Sequence, residues 1–83
     1  MKSFPTELNP WYVVFRFMGL GMLGQIEYLA LDEGGLETWT ENPKKCRIFL
    51  TLRSAIRTAM AMKGEILVLH KQAQLPEYGR DIT

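Results

Sequence analysis

The chain has 83 residues, 47% of them hydrophobic, with ten Lys or Arg against nine Asp or Glu and a single cysteine. That length and balance suit one small domain with a thin core, residues 1–83 together. They exclude an internal disulfide framework and a cysteine-cluster metal site, and they fit a reducing, cytoplasmic setting.

The even total hides an asymmetry. Five acids (Glu27, Asp32, Glu33, Glu37, Glu41) lie between Phe17 and Pro43 with no Lys or Arg among them. Six bases (Lys44, Lys45, Arg47, Arg53, Arg57, Lys63) follow up to Lys63 with no acid. Such halves can face each other in the fold, or present a polarised surface to a charged partner.

Residues 1–10 hold Pro5 and an Asn-Pro step, and read as an extended lead-in with Phe4 or Leu8 pinned to the core. Lys2 followed by Pro5, Glu7 and Pro10 does not read as the apolar core of a signal peptide. Trp11 to Met18 reads as a central strand. Trp11, Val13, Phe15 and Phe17 share one face; Tyr12, Val14, Arg16 and Met18 share the other, with Arg16 at its exposed end. The window from Trp11 to Leu31 is the most apolar, but it contains Arg16 and Glu27, whereas a membrane span needs about 20 residues with few charges.

Gly19-Leu20-Gly21-Met22-Leu23-Gly24 has the spacing of a dinucleotide-binding glycine loop. That chemistry also needs a helix to start there, inside a βαβ unit, and the following Gln25 to Asp32 is too short before Gly34-Gly35. A hairpin connection is the plain reading. The segment is also apolar, with Phe17, Met18, Leu20, Met22 and Leu23 clustered in it, which marks a contact surface for a partner or a second copy.

Gln25 to Asp32 is the second expected strand, with Ile26, Tyr28 and Ala30 on one face. A tight turn at Glu33-Gly34-Gly35 leads to a third strand, Leu36 to Thr40, whose Glu37 and Trp39 point one way. Pro43 breaks the pattern. Lys44 to Leu50 is ambiguous: Cys46, Phe49 and Leu50 could share one face of a short helical turn, or Arg47 to Leu50 could be extended.

Thr51 to Gly64 has the grammar of an α-helix: Thr51 as N-cap, an apolar stripe of Leu52, Ala55, Ile56, Ala59 and Met60, and Gly64 as the left-handed stop. Glu65 to Lys71 is a fourth strand, and residues 72–83 are a polar tail laid on the surface or loose. The expected fold is α+β, with a β-β-β-α-β order, an antiparallel sheet and one helix packed on a face.

Chemistry is sparse. His70 is the one histidine and reads as a strand-end polar residue. A Cys46–His70 pair would lack a third orienting group, and one His with one Cys cannot complete a metal site. No catalytic residue, cofactor or metal is expected. The basic residues Lys44, Lys45, Arg47, Arg53 and Arg57 suggest nucleic acid as the alternative partner, against which stands a sequence pI of about 7.9.

Trp11-Tyr12-Val13-Val14 in the opening strand, Trp39-Thr40 after a Gly-Gly turn, Phe49-Leu50-Thr51 with Ala55, and Gly64 before a last apolar strand form a layout. That layout resembles small uncharacterised proteins of phages and other mobile elements, anti-CRISPR proteins among them. The resemblance implies a non-enzymatic, stoichiometric inhibitor that occupies a bacterial host or defence protein in the host cytoplasm. It carries over no functional residue. Two contact modes are open: the apolar loop from Gly19 to Gly24 buried in a partner, or the five acids imitating phosphate charge.

Overall fold

The computed structural model describes residues 5–18, 25–70 and 81–82. β1 (Trp11–Met18), β2 (Gln25–Leu31) and β3 (Glu37–Thr40) form an antiparallel meander, and β5 (Glu65–Leu69) joins the far side of β1 after the helix. The sheet order is β3-β2-β1-β5, and α1 (Leu52–Met62) packs on one face. The chain is therefore a small α+β domain, as the alternation of its apolar residues implies.

Register assigns the faces, because residues directly opposite each other across two strands project to the same side. Tyr12, Val14, Leu29, Trp39 and Ile66 lie on the helix side, where Phe49, Ala55, Ala59 and Met62 pack against them. Trp11, Val13, Phe15, Phe17, Ile26, Tyr28, Leu67 and Leu69 lie on the opposite side. β1 is buried on both faces over its first half, as expected of a central strand: Val13 and Val14 are fully buried.

The segment that sequence left open resolves into two pieces. Pro43–Lys45 is a 3-10 turn capped by Asn42, whose side chain accepts from the Lys44 amide. β4 (Arg47–Ile48) then runs extended. β1 pairs with β2 from Phe15 to Met18, and nearer its start Tyr12 exchanges both backbone bonds with Phe49, each 2.8 Å. The end of β4 thus takes the place beside β1 that β2 has left. β6 (Asp81–Ile82) pairs with β4 in parallel, so these residues of the expected tail are a strand.

Of the two lead-in residues expected to be pinned, Leu8 is 92% exposed and Phe4 lies outside the described residues, while Pro5 is fully buried. Two local expectations are corrected. Lys63, not Gly64, takes the left-handed conformation, with φ 57°. Gly64 is needed for space instead: a Cβ there would stand 2.8 Å from Val14 Cγ1 and 2.9 Å from the Phe15 carbonyl oxygen. The helical stripe also divides. Ala55 and Ala59 face the sheet, whereas Leu52, Ile56 and Met60 are exposed. Small residues let the helix lie close against Trp39 and Phe49, and the larger apolar residues are left outside.

Candidate functional site: an open aromatic end of the sheet

The face opposite the helix has two different ends. Near the start of β1, Trp11, Val13 and Leu69 pack with Cys46 and Ile48 into a sealed cluster. Near the end of β1, Phe15, Phe17, Ile26, Tyr28 and Leu67 line a groove of about 170 Å³. Phe17 is 63% exposed and Ile26 38%. Cys46 and Ile48 cover the first end, and Tyr28 and Leu67 pack against that cluster from the groove side.

The groove is ordered by its own side chains. Phe15 and Phe17 meet edge to face with centroids 5.4 Å apart, a favourable aromatic arrangement. Tyr28 stands opposite Phe15 and Ile26 opposite Phe17. On its other flank Phe15 faces Glu65, the one charged strand position on this face. Among the described residues, no arginine or lysine of these strands shares that face.

Of the apolar residues expected at a partner site, Phe17 and Met18 are exposed at the end of β1. Register separates them, since Met18 is opposite Gln25 and shares the helix side. Leu20, Met22 and Leu23 lie outside the described residues. Sequence reasoning did not nominate Phe15, Ile26, Tyr28 or Leu67. Their shared parity in three paired strands is the available signal, but parity alone does not say which face stays open.

The acidic candidates do not converge. Glu27 is held by Arg16, whose Nη2 and Nε lie 2.8 and 3.0 Å from Glu27 Oε1. Arg16 in turn lies over the Trp39 ring, 4.3 Å from its centroid, so it is half-buried and structural rather than a free strand-end cation. Asp32 Oδ1 accepts from the Gly34 and Leu36 amides, both at 2.9 Å, and fixes the β2–β3 turn. Gly35 completes that turn at φ 82°, which favours glycine. Glu37 reaches Arg47 at 3.9 Å. Glu33 and Glu41 remain exposed on the connections flanking β3.

The basic candidates are spread over three elements. Lys44 and Lys45 sit in the 3-10 turn, Arg47 lies over the Phe49 ring beside Glu37, and Arg53 and Arg57 are on α1. The two charged halves therefore touch at the Arg47–Glu37 pair. Cys46 is fully buried, which removes it as an accessible nucleophile. Among the described residues no three His, Cys, Asp or Glu side chains gather as metal ligands, and no helix is long and apolar enough to cross a membrane.

Compared with known proteins, the chain matches no family model, no curated protein and no solved structure.

Proposed function

We propose that this chain is a non-enzymatic protein-binding module that docks through the open end of its sheet. The observation that carries the reading is the groove lined by Phe15, Phe17, Ile26, Tyr28 and Leu67, in which Phe17 and Ile26 are exposed and the other three half-buried. Aromatic and branched apolar side chains held on rigid strands make effective contact anchors, because little conformational entropy is lost when they are covered. The partner is a protein with an apolar contact surface. The layout resemblance makes it a bacterial host or defence complex, and makes the effect a stoichiometric block of that partner in the cytoplasm.

The test is a pull-down from bacterial lysate, without and then with nuclease, using the parent chain and a Phe17→Ser/Ile26→Ser variant, read by mass spectrometry. The expected result is a protein recovered in near-equal amount by the parent and lost by the variant. Equal recovery by both would place the contact elsewhere. Recovery of nucleic acid alone before nuclease treatment would overturn the reading in favour of the basic segment. A parent that self-associates, with a variant that is monomeric, would make the partner a second copy.

A further inference from the structure

The outer face of α1 carries a separate constellation. Arg53, Ile56, Arg57 and Met60 follow i, i+3, i+4, i+7 spacing and so share one side of the helix. They line a shallow groove of about 400 Å³. Met60 is 77% exposed and Ile56 42%. Both arginines are exposed, and neither forms an ion pair with a described residue. No acid occurs anywhere in Leu52–Met62 to relieve their mutual repulsion. Among the described residues, the helix therefore presents two guanidiniums without an acidic partner and two exposed apolar side chains along one line.

We propose that this row is a second docking surface, for an acidic amphipathic helix of a protein partner. Such a segment supplies both missing components. Its carboxylates would meet the Arg53 and Arg57 forks, and its apolar residues would cover Ile56 and Met60 in the helix-to-groove manner. Nucleic acid fits less well. Phosphates would satisfy the arginines, but Ile56 and Met60 offer no aromatic ring for a base to stack on and would stay in water. An anionic membrane fits less well too. The helix has already committed Ala55 and Ala59 to the sheet, which leaves too narrow an apolar strip to enter lipid.

The probe is a fluorescein-labelled synthetic helix with Leu at i, i+4 and i+7 and Glu on both sides, followed by anisotropy. The comparison probes are the same peptide with Leu replaced by Ala, an oligothymidylate and phosphatidylserine vesicles. The expected result is saturable binding of the Leu/Glu peptide, weaker binding of every comparison probe, and a loss of about tenfold or more in Arg53→Glu/Arg57→Glu. Met60→Ser should weaken binding several-fold, whereas Phe17→Ser/Ile26→Ser should leave it unchanged. Circular dichroism checks that each variant folds, and Arg53→Gln/Arg57→Gln gives a milder loss of charge. The proposal is overturned if the oligothymidylate or the vesicles bind more tightly than the peptide, or if charge reversal has no effect. It is equally overturned if the Phe17/Ile26 variant abolishes peptide binding, or if no probe binds.

Discussion

Two adjacent residues, Lys63 and Gly64, turn the chain from α1 into β5, and each does the job the other would be expected to do. Lys63 bears the left-handed backbone although it has a Cβ, while Gly64 occupies a site with no room for one. Gly64→Ala should destabilise the fold by about 2 kcal/mol, because Val14 and the Phe15 carbonyl cannot both retreat. Lys63→Gly should stabilise it by about 1 kcal/mol by removing the left-handed penalty. Urea denaturation of the two variants tests both signs at once. Arg16 is the other residue whose role is local. Its guanidinium joins Glu27 to the Trp39 ring on a partly exposed surface. Arg16→Ala should cost about 1 kcal/mol by the same measurement, most of it lost packing over the indole.

At the level of elements, β4 does more than its two residues suggest. Its pairing ends at Phe49, which bonds Tyr12 and is 1% exposed beneath α1. Phe49→Ala should cost about 3–5 kcal/mol, one of the largest losses available in the chain. Losing the Thr51 cap, which accepts from the Ser54 amide at 3.3 Å, should cost only about 1 kcal/mol. The three meander strands, the helix start and β5 were legible in the sequence because period-two alternation and capping chemistry are local signals. β6 was not, and β4 was legible only as one of two alternatives, since a two-residue strand has no periodicity and exists only through distant pairing. The inward face of α1 was misjudged for a related reason. Ile56 and Met60 weigh more than Ala55 and Ala59 on any hydrophobic stripe, but only the alanines fit against Trp39 and Phe49. The candidate site was legible only at Phe17, because which sheet face stays exposed depends on long-range packing and not on a local pattern.

Across the whole molecule, the two candidate surfaces differ in chemistry and in layer. One is aromatic and lies on the sheet face turned away from the helix; the other is apolar with arginine flanks and lies on the outside of the helix. With a packed core between them and no shared side chain, substitutions on the two should act independently, within about 0.5 kcal/mol of additivity. A combined Phe17→Ser/Arg57→Glu variant measured against partner and peptide separately tests this. Each single change should appear in one assay and be silent in the other. Salt separates the two further. Binding at the arginine row should weaken as ionic strength rises, while binding at the aromatic end should not.

The uneven cover over β1 also grades the strand in time. Trp11, Val13 and Val14 are enclosed, whereas Phe17 and Met18 stand in water. Backbone amides at the two ends should then exchange with deuterium on different schedules, the enclosed end only when the domain opens globally and the uncovered end through small local openings. One strand therefore carries both a gauge of global stability and a gauge of occupancy. A partner seated on the aromatic end would slow the fast amides while changing the slow ones much less.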